Sequence, residues 1–135
     1  MKVVSQLNVA VDNVPGQLAK VAGALADAGV SIEGLSCTEV GVQATWHIVV
    51  DKTDTAQEAL KAAGYRPSSQ EIFAFVCPSD RPGVIASIAK ACAGAGVNIG
   101  NIYTASTGSG QPAMVFMWVD KKDFAKAKEA CGKVM

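Results

Sequence analysis

A Pro-Gly turn that leads into an apolar helix pattern occurs twice in this chain. The first copy reads Asp12-Asn13-Val14-Pro15-Gly16, and the second reads Ser79-Asp80-Arg81-Pro82-Gly83. An Ala-Gly-Val segment closes each helix pattern, and the interval from Gly29 to Gly96 equals that from Pro15 to Pro82. Two anchors at one spacing indicate an internal repeat, so the chain is expected to fold as two copies of one small unit.

Each copy predicts the same order of elements. Apolar residues alternate before the turn, follow a helical period after it, and then return to alternation. The order strand-helix-strand-strand-helix-strand predicts an α+β fold with the helices on one face of an antiparallel sheet. The polar stretch around Pro67 divides the modules into residues 1–69 and 70–135. Because the sequence stops after its last helix pattern, the last strand of the second module is expected to be short or missing.

The composition argues against several classes of partner. The 135 residues include 12 basic and 12 acidic side chains, and half of all residues are hydrophobic. A neutral chain argues against nucleic acid or an anionic membrane as the main partner. Neither a membrane-spanning run nor a signal peptide is recognisable, so a cytoplasmic location is expected.

The four cysteines and the single histidine do not predict a metal site or a catalytic centre. Cys37, Cys77, Cys92 and Cys131 are widely spaced, without a Cys-x-x-Cys motif. Their apolar or small neighbours favour reduced, buried thiols. His47 is placed on the outer face of a strand, where a solvated or hydrogen-bonded imidazole is expected rather than a ligand or a base. We therefore expect no metal, no cofactor and no enzymatic activity.

Each Pro-Gly turn is a candidate anion site. Proline presets φ for a first helical turn, and glycine lets another group approach the backbone. The unbonded N–H groups and the positive end of the helix dipole then face outward, which suits a carboxylate. The alternative is that Pro-Gly only starts a helix.

The aromatic residues of the second copy are predicted to cluster on the sheet face without helices. The aligned positions of the first copy are Gln6, Asn8, Ala10, His47 and Val49. An exposed patch of that size should be covered, by the other copy or by a second chain in a homodimer. The alternative is a one-residue error of alignment, which would place rings in the core. The aromatic positions in question are Phe73, Phe75, Phe116 and Trp118.

The turns and helix ends together resemble the ACT domain. Arg81-Pro82-Gly83-Val84 with Ala95-Gly96-Val97-Asn98-Ile99 carries the resemblance most clearly, and Val14-Pro15-Gly16-Gln17-Leu18 with Ala28-Gly29-Val30-Ser31-Ile32 is similar. The resemblance covers nearly the whole chain and leaves no segment for a catalytic domain. It implies a free-standing tandem of two ferredoxin-like modules, of the kind attached to enzymes of amino-acid metabolism.

The resemblance implies regulatory binding of a small molecule, usually an amino acid. Such sites form where two modules meet, between the turn before the first helix and the start of the second strand. Asp12 or Asp80 would suit an α-ammonium group, Asn13 and Asn98 could donate and accept, and Arg81 could pair with a carboxylate. By position, the ligand-binding residues are Asp12, Asn13, Val14, Gly16, Gln17, Leu18 and Ile32 in the first copy, and Ser79, Asp80, Arg81, Gly83, Val84, Ile85, Asn98 and Ile99 in the second.

Two function classes remain open at this point. The first is a regulatory module that senses an amino acid or a similar metabolite. The second is a non-catalytic interaction subunit that pairs with itself or with a metabolic enzyme without binding a ligand. A copper-chaperone module is rejected because the turns contain no cysteine pair, and an RNA-recognition module because the flanks of the aromatic residues are neutral.

Overall fold

The computed structural model describes residues 1–134 and divides the chain into two compact units. The first unit consists of residues 5–71, and the second consists of residues 1–4 together with residues from 72 onward. Two long strands, β1 (Lys2–Asp12) and β4 (Ser68–Cys77), therefore each contribute residues to both units.

The first unit has the predicted order of elements. After β1 come α1 (Gln17–Asp27), β2 (Ile32–Val40), β3 (Gln43–Val50) and α2 (Thr53–Ala62), and the start of β4 follows. The strand order is β2-β3-β1, and both pairings are antiparallel. Leu7 lies opposite Ile48, and Asp12 lies opposite Gln43.

The second unit repeats this arrangement. From β4 the chain continues through α3 (Val84–Gly94), β5 (Ile99–Ser106) and β6 (Ala113–Val119), a short 3-10 helix (Lys121–Asp123) and α4 (Phe124–Gly132). The strand order is β4-β6-β5, again antiparallel. No strand follows α4 among residues 1–134, and Met1–Val4 at the start of β1 belong to this unit. The prediction of an α+β protein with two ferredoxin-like β-α-β-β-α-β modules is confirmed.

The core of the first unit lies between its sheet and its two helices, as the alternation predicted. Leu7 and Val9 of β1 pack with Ile48 of β3 and with Val21 and Leu25 of α1, and all five side chains are fully buried. Gln6, Asn8 and His47 lie on the opposite face of the sheet, because successive residues of a strand point to opposite sides.

The core of the second unit corrects one prediction. Phe73 and Phe75, which were expected on the outer face, pack with Ile88 and Cys92 of α3 and are 0% and 2% exposed. Phe73 also stacks on Phe124 of α4 with ring centroids 4.4 Å apart. The two rings therefore cannot form a surface for a second chain, and this part of the predicted homodimer contact is wrong.

Phe73 and Phe75 lie in the core rather than on the outer face because the two turns differ in length. Three residues separate the last inward position of β1, Val11, from Pro15, whereas four separate Cys77 from Pro82. Alignment on the two prolines therefore shifts β4 by one residue against β1. A one-residue shift exchanges the two faces of a strand, so Phe73 and Phe75 move from the outer face to the core.

The other two aromatic residues lie on the outer face, as predicted. Phe116 is paired with Ala74 of β4 and stacks on Tyr103 of β5 with ring centroids 5.2 Å apart. Trp118 lies over Gly100, where the ring occupies the space that a Cβ atom would need. Phe116 is only 2% exposed within the single chain. A four-ring dimer surface is thus not present.

Candidate functional site

The two strand-to-helix turns have the same backbone conformation at their last residue. Gly16 has φ 92° and Gly83 has φ 93°, and a Cβ atom at either position would meet no atom within 4 Å. Glycine is required here because the left-handed conformation strains other residues, not because a neighbour is too close. The prolines were predicted to open the helices, but α1 begins at Gln17 and α3 at Val84, since a glycine with positive φ lies between.

Both helices begin with N–H groups that have no acceptor inside the helix. The first intrahelical bonds run from Lys20 N–H to the Gly16 carbonyl (3.1 Å) and from Ser87 N–H to the Gly83 carbonyl (2.9 Å). Neither helix has a side chain that caps its N-terminus. The first-turn N–H groups and the positive end of each helix dipole are therefore available to an anion.

The first turn is bound to the tip of the β2–β3 hairpin. Asn13 donates its backbone N–H to the Val42 carbonyl (2.8 Å) and its side-chain amide to the Gly41 carbonyl (3.0 Å). Gln43 donates its side-chain amide to Asp12 Oδ1 at 3.2 Å. The polar side chains that distinguish this turn in the sequence thus already hold the turn to the sheet.

The second turn has no such attachment. Its backbone hydrogen bond is a long one, from Arg81 N–H to the Pro78 carbonyl at 3.4 Å. Asp80 and Arg81 are exposed, and neither side chain forms a hydrogen bond or an ion pair with any of residues 1–134. The Asp80 carboxylate and the Arg81 guanidinium therefore lie just before α3 without a partner among residues 1–134.

Within each unit, the turn before the first helix and the start of the second strand lie at opposite ends of the sheet. Asp12 lies opposite Gln43 at one end of the first sheet, whereas Ile32 lies opposite Val50 at the other end. The length of β2 puts about 26 Å between these ends, at roughly 3.3 Å per residue. In the second unit Cys77 lies opposite Ala113 and Ile99 opposite Val119, again at opposite ends. No single unit assembles the full predicted site.

The remaining candidate residues surround the helix starts. Val14, Leu18 and Ile85 are large apolar side chains that are 39–54% exposed. Gln17 accepts a hydrogen bond from the Tyr65 hydroxyl at 3.1 Å, and Val84 packs against the core of the second unit. Ser79 and Asn98 are exposed. The sequence reasoning missed Tyr65 and Gln43, because nothing local in the sequence links them to residues that lie 48 and 31 positions away.

His47 belongs to a polar network on the outer face of the first sheet. Its Nδ1 lies 2.9 Å from Asn8 Oδ1, and its Nε2 lies 3.1 Å from the Thr38 hydroxyl. Because an amide oxygen only accepts, the proton of the neutral ring lies on Nδ1, and Thr38 donates to Nε2. Gln6, fully buried, also donates to Asn8 Oδ1 at 2.9 Å. The sequence left a hydrogen-bonded histidine as one expected outcome, and the structure has that arrangement.

Burial lowers the pKa of His47 below its ordinary value of 6.5. A lowered pKa means that the unfolded chain binds the proton more tightly than the folded chain does. The free energy of unfolding is therefore expected to fall as the pH decreases from 6.5 toward the lowered pKa. Urea denaturation of the wild type and of His47→Gln at a series of pH values measures this contribution. The difference between the two proteins should change across this range, and a constant difference would contradict the assignment.

Residues 1–134 contain no cluster of three or more histidine, cysteine, aspartate or glutamate side chains that could hold a metal ion. Over the same residues, no helix is both long enough and apolar enough to cross a membrane.

Fold and turns together define a class: a tandem of two ferredoxin-like modules, each with a glycine turn that opens its first helix. The family model of the ACT domain matches residues 5–61 and 72–130. The chain belongs to the ACT domain family.

Solved structures share this fold along the whole chain. A protein from Bacteroides thetaiotaomicron superposes with a TM-score of 0.84 at 24% identity, covering 97% of this chain and 88% of that one. The ligand-free regulatory subunit of aspartate kinase from Thermus thermophilus gives 0.64 at 23% identity, covering 100% and 98%. The corresponding subunit from Thermus flavus gives 0.58 at 23% identity, covering 99% and 97%. A comparison with curated proteins found no match.

Proposed function

We propose that this chain is a non-catalytic regulatory protein that senses a small molecule, with an amino acid as the preferred class of ligand. Membership of the ACT domain family supports a regulatory role. Among the proteins that share its fold over nearly their full length are two regulatory subunits of aspartate kinase. In this proposal the chain acts in the cytoplasm on a metabolic enzyme that it binds.

The observation that carries the proposal is the open second turn. Free N–H groups at the start of α3 suit a carboxylate, and Arg81 can pair with the same group through two N–H donors. Asp80 can accept hydrogen bonds from an ammonium group beside it. The second turn thus offers a positive group for the carboxylate and a negative group for the ammonium of an α-amino acid at neutral pH. We assign the ligand to the second turn in preference to the first, whose Asp12 and Asn13 side chains are engaged with the hairpin.

The proposal includes a homodimer. We expect a ligand at the second turn to be covered by the start of a module's second strand. Ile32, Asn98 and Ile99 are the predicted binding residues in this segment. Within a unit this segment lies at the opposite end of the sheet from the turn. We therefore propose that a second copy of the chain supplies the missing side of the site. Sedimentation equilibrium with and without ligand would test this, and a monomer that binds ligand at full affinity would contradict it.

A second candidate function is supported by the first turn. Val14, Val40 and Val42 are 54%, 74% and 80% exposed, and Asn13 binds the hairpin tip that carries two of them. Exposed valines around a turn whose polar groups are already bonded suit protein contact better than ligand binding. This observation favours an interaction subunit that pairs with itself or with an enzyme and has no small-molecule ligand.

A ligand screen separates the two functions. Thermal denaturation would be followed in the presence of each of the common amino acids and of 2-oxo acids at millimolar concentration. For a ligand at a hundredfold excess over its Kd, the free energy of unfolding should rise by about 2.7 kcal/mol, because only the folded chain binds. The rise should be larger for an α-amino acid than for the corresponding 2-oxo acid, since both charged groups of the amino acid are held at once.

Matched variants locate the site. Asp80→Ala should abolish the ligand-induced rise, whereas Asp12→Ala should retain it although it loses the bond from Gln43. Asp27→Ala, which removes an exposed aspartate outside both turns, controls for the change in net charge. If no ligand stabilises the protein, the interaction subunit becomes the better assignment. If Asp12→Ala rather than Asp80→Ala removes the response, the assignment of the second turn is wrong.

A further inference from the structure

Two thiols touch in the core of the second unit. Cys92 of α3 and Cys131 of α4 are 1% and 0% exposed, and their Sγ atoms lie 3.6 Å apart. Both belong to the hydrophobic cluster that fills the space between the helices and the sheet. Neither thiol has a part in the turns described above.

The first unit shows what the fold places at these positions when no thiol is present. Leu25 precedes Gly29 by the same interval as Cys92 precedes Gly96. Leu60 follows the buried Ala56 by the same interval as Cys131 follows the buried Ala127. Both leucines are fully buried in the core of the first unit. A pair of leucines thus fills these positions in the first unit. Packing alone therefore does not require the two thiols of the second unit.

We propose that Cys92 and Cys131 form a reversible redox site, at which oxidation joins α3 to α4 through a disulfide. The Sγ atoms are already in van der Waals contact, and bond formation requires an approach of about 1.6 Å to reach a bond length near 2.04 Å. A change in χ1 of either side chain displaces its sulfur atom on this length scale.

The oxidant is a small-molecule disulfide of the glutathione class, and the reaction proceeds by thiol–disulfide exchange. One cysteine loses its proton, and its thiolate attacks a sulfur atom of the reagent. The S–S bond of the reagent breaks, and one reagent thiolate leaves and takes up a proton. The second cysteine then loses its proton and attacks the protein sulfur of the mixed disulfide. This expels the second reagent thiol, so two protein thiols are oxidised and one reagent disulfide is reduced to two thiols.

Burial makes this reaction slow while the helices are closed. Burial and the neighbouring Cys92 thiol raise the pKa of Cys131, so little thiolate is present at neutral pH. The reagent reaches the pair when α4, a helix of 9 residues, opens locally. Once one mixed disulfide has formed, the adjacent thiol resolves it, because the two sulfur atoms return to contact when the helix closes.

The site can affect the second turn through α3. This helix begins directly after Gly83 and carries Cys92 farther along its length. A bond to α4 would restrain the movement of α3 against its neighbour and thereby the N–H groups at its start. This consequence rests on the proposed function, whereas formation of the disulfide does not depend on any ligand.

The test uses the full-length chain with the other two thiols removed. Cys37 is exposed and Cys77 partly exposed, so both compete for the reagent and are replaced in Cys37→Ser/Cys77→Ser. This protein is incubated with oxidised glutathione below the urea concentration at which unfolding begins. Intact mass should decrease by two hydrogen atoms, both free thiols should disappear, and dithiothreitol should restore them. Peptide mapping should find Cys92 joined to Cys131 within one chain.

A third substitution and a rate measurement distinguish this disulfide from glutathione adducts and from oxidation of the unfolded chain. Adding Cys131→Ala should leave Cys92 either free or carrying one glutathione, with no loss of two hydrogen atoms. The cross-linking rate should exceed the rate at which the second unit unfolds, followed by the fluorescence of Trp118 in a protein that also carries Trp46→Phe. The proposal is overturned if both cysteines carry glutathione, if the disulfide joins two chains, or if it forms only at the rate at which the second unit unfolds. It is equally overturned if both thiols stay free under conditions that fully modify Cys37 in the wild type.

Discussion

Replacing Phe73 by alanine is expected to lower the free energy of unfolding of the second unit by about 4 kcal/mol, as for other fully buried aromatic rings. The ring is 0% exposed, stacks on Phe124, and contacts the core beneath α3 and α4. Its removal leaves a cavity between a strand and a helix that cannot close without moving one of them. Urea denaturation followed by the fluorescence of Trp118, on β6 of the same unit, measures the effect in a protein that also carries Trp46→Phe.

Val76→Ala is the matched control for this prediction. Val76 lies on the same strand, three residues farther along, and is 49% exposed. Its truncation should change the free energy of unfolding by less than about 0.5 kcal/mol, as for most surface substitutions. A small loss at Phe73 together with a large loss at Val76 would mean that β4 has the opposite orientation. The alignment of the two prolines would then have been correct.

Phe73 and Val76 illustrate how much of this fold the sequence predicts. Repeated turns and helix ends fix the order of elements in both units, and the alternation of β1 correctly places Leu7 and Val9 in the core. The orientation of β4 was missed because it depends on one additional residue in a turn, and the alternation in Ile72-Phe73-Ala74-Phe75-Val76 is apolar on both sides. When both faces of a strand are buried, hydropathy no longer tells which face meets the helices.

For the candidate site, the sequence predicts where the two turns lie but not which of their side chains are already hydrogen-bonded. Gly16 and Gly83 were singled out, and both have the positive φ that makes glycine necessary. The sequence could not foresee that Asn13 is bonded to Gly41 and Val42, whereas Asp80 and Arg81 are unattached among residues 1–134. Those bonds depend on where a hairpin tip lies relative to a turn that is distant along the chain. The contact between Cys92 and Cys131 has the same origin, since it joins two helices that only the packed sheet brings together.

Deleting Lys2–Val4 while keeping the initial methionine is expected to destabilise the second unit by about 3 kcal/mol, from roughly three strand hydrogen bonds worth about 1 kcal/mol each. Met1–Val4, which include the start of β1, belong to that unit. The deletion removes backbone from the unit that also contains Ile72 and Phe73, which are fully buried in the intact chain. The first unit begins at Ser5 and keeps its own part of β1.

Hydrogen exchange resolves this effect by region. The amides of β4 from residue 72 onward and of β6 should lose protection in the deleted protein, whereas those of α1 and α2 should keep theirs. Lys2→Ala and Val3→Ala are the controls: both side chains are exposed, so truncation should change little if the backbone is what matters. Loss of protection confined to the first unit would mean that the start of β1 stabilises the first module instead. Loss confined to the second would establish that residues 2–4 are part of the second unit, so that this unit is not a continuous stretch of sequence.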